Sequence, residues 1–215
     1  KAILTREDVP DIRWGTAIDD QTTLAMDRAL YVGHEVAAVA AVDEQAALEA
    51  LELLSVEYDP LPTVFDPEEA LRDDAPQIHG SGNLAGEVKF SRGDLDAGFS
   101  AADVVEEETY HTSIASQAYM EPMGALAQAD GQERVTLWMP CQGIFYSQKR
   151  IAKALGLPLS NVRVVQATVG GSFGGKRDEP LPMIAALLSQ KAGAPVRLLN
   201  TRPEEFQAGR PRVPM

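Results

Sequence analysis

The sequence predicts an α+β chain, and three features carry that prediction. Stretches with apolar residues at helical spacing alternate with short runs rich in Val, Ala and Leu. An Asp130-Gly131 turn stands between two apolar runs and reads as a hairpin. A further apolar run then enters a loop with four glycines in six residues, from Gly170 to Gly175.

A chain of 215 residues can bury one large core or two small ones. Its 45% hydrophobic and 24% charged residues are ordinary for a globular protein. No apolar run approaches the roughly 20 residues that cross a bilayer, and the start lacks a signal-peptide pattern. The first residue, Lys1, and the abrupt end at Met215 suggest a segment of something longer. With 32 acidic against 19 basic side chains, the net charge of -13 would repel a phosphate backbone or an anionic membrane. Neither nucleic acid nor membrane is therefore an expected partner. The single cysteine, Cys141, forms no internal disulfide and suits a reducing, cytoplasmic compartment. It also cannot supply the thiolates of an iron–sulfur cluster. His34, His79 and His111 lie far apart and show no metal-ligand spacing.

Residues 32–42 read as a buried strand, and Asp43 caps a helix over 44–54 with Ala47, Leu48, Leu51 and Leu54 on one face. Residues 55–59 alternate as a second strand closed by Pro60 and Pro62. Such a strand–helix–strand unit favours a parallel or split pairing. Asp66 caps a short helix over 67–71, with Pro67 at its first position. Residues 73–86 hold Pro76, Gly80, Gly82 and Gly86 without apolar periodicity, which places a domain boundary there. The expected domains are residues 1–75 and 87–215, joined by a linker over 76–86.

In the second part, residues 88–90 look extended and Asp94 caps a helix reaching about residue 101. Residues 104–112 read as a strand, and 124–129 with 135–139 as the hairpin. A helix over 144–155 has Ile144, Ile151 and Leu155 as its apolar stripe, with Lys149, Arg150 and Lys153 on the solvent face. Gly156 and Pro158 stop it. A strand over 162–169 then feeds the glycine loop, and a helix over 181–192 and a strand over 196–200 complete the pattern.

Gly170, Gly171, Ser172, Phe173, Gly174, Gly175 and Lys176 form the most informative segment. Its glycines permit positive φ and close approach of the backbone, so that successive N–H groups can converge on an anionic oxygen. Phe173 in such a loop is expected to be buried or stacked. A purely structural turn is one reading. A nucleotide P-loop is another, since the G-x-x-x-x-G-K spacing is met. However, Arg177 stands where Ser or Thr should hold magnesium, and Asp178 and Glu179 would face the triphosphate. No G-x-G-x-x-G fingerprint occurs.

The same run resembles the G-G-x-F-G-G-K signature of the molybdenum hydroxylases, the family of xanthine dehydrogenase and aldehyde oxidase. Residues 31–41 and 55–62 look like that family's hammerhead domain. Residues 117–122 (Gln-Ala-Tyr-Met-Glu-Pro) and 138–142 (Trp-Met-Pro-Cys-Gln) are similar to its later segments. Order and spacing agree over nearly the whole chain. The resemblance implies a partial hammerhead α/β domain followed by the first part of a molybdopterin-binding α+β domain.

In that family a molybdenum–pterin cofactor (molybdopterin or its dinucleotide) carries the chemistry. Electrons leave through iron–sulfur clusters, commonly to FAD. By position, Gln142 matches the glutamine that hydrogen-bonds an oxo group on the metal, at the start of a helix whose dipole favours an anionic ligand. The loop from Gly170 to Gly175 matches the cofactor-binding loop, with Phe173 and Gly174 beside the metal. Tyr119, Met120 and Glu121 match a segment near the active site, with packing the expected role of the first two. Lys176 matches the family's lysine and could equally be a solvated charge, whereas Cys141 reads as a small buried hydrophobe.

Arg177 departs from the pattern. Purine-oxidising members carry glutamate there, and arginine would suit an anionic small-molecule substrate. The family's catalytic glutamate lies further downstream and is not in this chain. The remainder of the large subunit and separate iron–sulfur and flavin subunits or domains are therefore expected partners. The alternative is a scaffold fragment of the same fold that binds no metal on its own.

Overall fold

The structure, a computed structural model, describes residues 1–16, 18–177 and 180–214. Its elements are β1 (Ala2–Leu4), β2 (Ala38–Ala40), α1 (Glu44–Glu52), α2 (Pro67–Ala70), α3 (Leu95–Ser100), β3 (Gly124–Ala129), β4 (Val135–Met139), α4 (Ile144–Leu155), β5 (Val162–Gln166), α5 (Leu181–Ala192), β6 (Val196–Leu199) and α6 (Arg202–Gln207). The mixture is α+β. The chain divides into one unit made of Lys1–Asp59 with Ser116–Arg212, and a second made of Pro60–Ala115 with the last residues from Val213.

The first unit is built on a four-stranded sheet in the order β5-β4-β3-β6. β3 and β4 form the expected hairpin, with Leu126 opposite Trp138 and Ala129 opposite Val135. Asp130 makes that turn: its Oδ1 accepts the N–H groups of Gln132 and Arg134, both at 2.9 Å. α4 then carries the chain across to β5, which pairs parallel with β4. β6 closes the other edge, antiparallel to β3.

α5 packs on this sheet and is buried from Leu181 through Ser189, as befits a helix that is apolar nearly all round. Ser189 is accommodated because its hydroxyl accepts from the Ala129 N–H at 2.9 Å and donates to the Ala194 carbonyl at 2.8 Å. Leu4, Trp14, Leu24, Met123, Leu137, Ile151 and Leu188 fill the core. Gly156 and Gly193, both left-handed, end α4 and α5.

Several expected strands are replaced. Over residues 32–42 only Ala38–Ala40 is a strand, and it pairs antiparallel with β1 rather than in a parallel or split unit. The cause lies at Gly33: its φ is +91°, and an added Cβ would stand 2.7 Å from the Gln207 carbonyl oxygen. The backbone turns there to pass another segment, so the run cannot stay extended from its start. Residues 55–59 belong to no strand. α1 is capped by Asp43 as expected, but Leu48 and Leu51 remain exposed.

The second unit holds α2 and α3, each capped by the expected aspartate, Asp66 and Asp94. Residues 88–90 and 104–112 join no ladder among the described residues, and no described residue of Pro60–Ala115 is buried. Their alternation meets no sheet edge that would supply the missing hydrogen bonds.

Candidate functional site

The glycine loop, the segment 119–121 and the start of α4 meet within the first unit. The Glu121 N–H donates to the Gly170 carbonyl at 3.2 Å, and the Gly170 N–H donates back to Glu121 Oε2 at 2.7 Å. The same Oε2 accepts from Lys176 Nζ at 2.6 Å. Lys176 is 1% exposed, so it is an internal strut and not a solvated charge. Its ammonium also lies 4.7 Å from the centre of the Tyr119 ring, where the π face adds attraction.

Burial pushes the Glu121 carboxyl upward. Hydrogen bonds from Lys176 and from the Gly170 N–H, with the lysine's charge, outweigh burial and hold it below the usual carboxylate range. The glycines permit this contact. A Cβ on Gly170 would fall 2.6 Å from Glu121 Cβ, and one on Gly175 would fall 2.6 Å from the Tyr119 ring.

A second layer supports the first. The Tyr119 hydroxyl donates to Glu205 Oε1 at 3.2 Å. Glu205, buried in α6, also accepts from the Met123 N–H at 2.9 Å and from Asn200 Nδ2 at 3.1 Å. Arg202 donates to the carbonyls of Tyr119 at 2.7 Å and Met120 at 2.6 Å. Tyr119 is thus buried as expected, whereas Met120 is exposed rather than packed. The sequence pattern does not reveal the role of α6, although Thr201-Arg-Pro-Glu204 is a capping box with Pro in the first turn. No local signal marks Glu205 as a buried carboxylate.

On the other side, Gln142 occupies the residue before Gly143, the N-cap of α4, and is exposed. Its N–H approaches the Lys176 carbonyl at 3.4 Å. Arg150, expected on the solvent face, is buried and donates to the Arg177 carbonyl. Position 150 falls on the loop-facing side of the helix, and a main-chain acceptor waits there. Gln142, Gly143, Tyr146, Ser147, Arg150 and Arg177 line an open cleft of about 250 Å³. Cys141 is buried and its carbonyl accepts from Gln166 Nε2 at 2.8 Å.

The loop tip differs from the reading of Phe173 as a buried or stacked ring. Phe173 is 66% exposed and has φ +50°, unusual for a side chain of its size. Ser172 holds the turn below it, accepting the Gly175 N–H on its carbonyl at 2.8 Å and the Lys176 N–H on its hydroxyl at 3.0 Å. The N–H groups of Phe173 and Gly174 find no acceptor among the described residues. Gly171 and Gly174 have φ of +95° and +102°. Asp178 and Glu179, whose carboxylates argued against a nucleotide loop, lie outside the described residues.

The glycine loop and the start of α4 thus meet through the Gln142 N–H and the Lys176 carbonyl, in an α+β protein. Among the described residues no cluster of His, Cys, Asp or Glu could hold a metal by itself. No helix of the described residues is long and apolar enough to cross a membrane.

The sequence pattern of the molybdopterin cofactor-binding domain matches residues 78–215, and that of the aldehyde oxidase and xanthine dehydrogenase a/b hammerhead domain matches residues 1–62. The chain belongs to the aldehyde oxidase and xanthine dehydrogenase family of molybdopterin-binding proteins. It is 40% identical over 216 residues to a probable xanthine dehydrogenase subunit of Bacillus subtilis, spanning 100% of this chain and 29% of that protein. It is 35% identical over 203 residues to the nicotinate dehydrogenase large molybdopterin subunit of Eubacterium barkeri, covering 94% of this chain and 48% of that subunit. The chain therefore spans less than half the length of either relative.

Among solved structures, quinoline 2-oxidoreductase from Pseudomonas putida superposes with a TM-score of 0.78 at 27% identity, over 96% of this chain and 28% of that one. Aldehyde oxidoreductase from Desulfovibrio gigas superposes with a TM-score of 0.88 at 24% identity, over 100% and 25%, a likeness of fold.

Proposed function

We propose that this chain is the part of a molybdenum hydroxylase large subunit that seats one side of a molybdenum–pterin cofactor. In this reading it serves the oxidation of a heterocycle, aldehyde or related small molecule. The observation that carries the reading is the meeting of Gln142 with the loop Gly170, Gly171, Ser172, Phe173, Gly174 and Gly175 through the N–H of Gln142 and the carbonyl of Lys176.

The donor set suits the group. An exposed Gln142 and two N–H groups without acceptors among the described residues offer neutral donors to oxo, pterin or phosphate oxygens, and the dipole of α4 favours negative charge at its start. The bound cofactor would supply the redox chemistry and its own sulfur ligands to the metal. Gln142 would orient and polarise an oxygen at the metal. Phe173 and Gly174 would present their N–H groups to the cofactor, and the exposed Phe173 ring would cover one wall of the site and exclude water.

Arg177 is the expected substrate-contacting residue. It is exposed on the cleft that Gln142 lines, where a guanidinium favours an anionic substrate such as a carboxylate or an acyl-CoA thioester. Arg177→Glu is expected to lower kcat/KM for such a substrate at least tenfold while sparing a neutral one, as steady-state kinetics would show. The remainder of the large subunit, with iron–sulfur and flavin-bearing subunits or domains, would complete the enzyme in a cytoplasmic complex. The two domains would be residues 1–75 and 87–215 with a linker over 76–86, a division supported by the matches ending at residue 62 and resuming at residue 78.

The test is metal analysis of the chain tagged in its native host and purified with its companions. Near-stoichiometric molybdenum with co-purifying iron and flavin supports the reading. An intact complex without molybdenum would leave a scaffold fragment in its place.

A further inference from the structure

We infer that Glu121 and Lys176 form a positioning clasp that closes the base of the glycine loop and thereby sets where its tip offers the N–H groups of Phe173 and Gly174. This deepens the cofactor-seating reading and rests on it for its consequence, though not for its geometry.

One carboxylate oxygen, Glu121 Oε2, accepts from both ends of the loop: the Gly170 N–H at 2.7 Å at the entrance and Lys176 Nζ at 2.6 Å at the exit. The Glu121 main chain makes a further bond to the Gly170 carbonyl at 3.2 Å. Five residues lie between these anchors, and among the described residues their only hydrogen bonds are the short ones around Ser172. An arch pinned at both feet has fewer conformations open to its tip than one with a free foot.

The choice of an ion pair follows from the surroundings. A buried ammonium left alone would carry a large desolvation cost, so Lys176 can occupy this position only while Glu121 faces it. The pair therefore ties the arrangement of the loop to a single partner. It is backed by the Tyr119 ring beneath the ammonium and by Arg202 holding the carbonyls of Tyr119 and Met120. On the far side the Lys176 carbonyl faces the Gln142 N–H, and Arg150 holds the Arg177 carbonyl. Lys176 thus links the 119–121 bed to the α4 side of the cleft, joining the base of the loop to the main chain of Gln142. A cofactor that needs both would meet donors already in place, so binding orders little of the loop.

The experiment compares Glu121→Gln and Lys176→Met with wild type in the natively assembled protein. Hydrogen exchange is followed peptide by peptide, together with molybdenum content and the electron paramagnetic resonance lineshape of the metal in the partly reduced enzyme. The hydrogen-bonded amides of the loop, those of Gly170, Gly175 and Lys176, are expected to exchange at least tenfold faster in both variants, with the β3–β4 hairpin and α5 unchanged. The lineshape of the molybdenum that remains should also be altered, which a general loss of folded protein would not produce. Loop exchange within twofold of wild type in Glu121→Gln would overturn the clasp, and so would faster exchange spread evenly over the sheet. If the wild-type complex holds no molybdenum, the cofactor reading fails while the exchange comparison still decides the clasp.

Discussion

The two units draw on the same residue types but differ in what those residues touch. In Lys1–Asp59 with Ser116–Arg212, apolar side chains of β3, β4, α4 and α5 close over one another, and Leu137, Ile151 and Leu188 are fully buried. In Pro60–Ala115, Phe65, Val88, Phe90, Val104 and Tyr110 are all exposed. The first unit has a sheet whose strands find edges and a helix that covers them. The second has two short capped helices, α2 and α3, each below the length at which a helix stands alone in water. The difference teaches that alternation gives a segment the capacity to be a strand, and that only an available edge turns the capacity into one.

The largest effect expected from this contrast is in the core of the first unit. Leu188→Ala removes a fully buried side chain from α5 and is expected to cost about 2–5 kcal/mol, measured by denaturant unfolding. Val88→Ala in the second unit should change stability by less than about 0.5 kcal/mol. Equal losses would break the comparison.

A pH dependence sharpens it further. Burial raises the carboxyl of Glu35 to about 7, against the lowering influence of Arg210, and its Oε2 has no partner among the described residues. The folded state therefore binds this proton more tightly than the unfolded chain does. The stability from a neutral Glu35 is fully present below about pH 4.5 and is lost as pH rises through 7. Glu35→Gln keeps the neutral form, so its advantage over wild type should grow across that window to as much as about 3 kcal/mol above pH 7. Thermal unfolding of both proteins from pH 4 to 8 would check this, and a constant difference would count against it.

The smallest effect belongs to the second unit. Asp94 accepts the Ala97 N–H and caps α3, so Asp94→Ala should cost that helix about 1 kcal/mol. Hydrogen exchange should report faster amides over α3 with no change in the unfolding midpoint of the first unit.

Where a structural cue is local, it is legible in the sequence. Asp43, Asp66 and Asp94 cap the helices they are expected to cap, and the Asp130 turn joins the expected hairpin. Gly156 and Gly193 end helices whose bounds the apolar spacing already marks. What depends on distant partners is not legible. Lys176 and Glu121 are 55 positions apart, and nothing near either shows that one lysine is internal while Lys149 is not. Arg150 reads as a solvent residue because its acceptor, the Arg177 carbonyl, belongs to another segment. The partner of β2 is β1, at the far start of the chain, where Ala2 stands opposite Ala40. For the site, glycine spacing points to the loop and resemblance to Gln142. The braces that hold them, Glu205 and Arg202 included, come only from three-dimensional contact.

In the proposed reading the first unit presents Gln142 and the glycine loop as one prearranged side of a cofactor site. The most direct test is turnover and molybdenum content of Gln142→Ala in the natively assembled enzyme. Losing one polarising hydrogen bond at the reacting centre should lower kcat/KM by about tenfold or more while the fold and subunit composition stay intact. Turnover within twofold of wild type, at unchanged molybdenum content, would contradict the account.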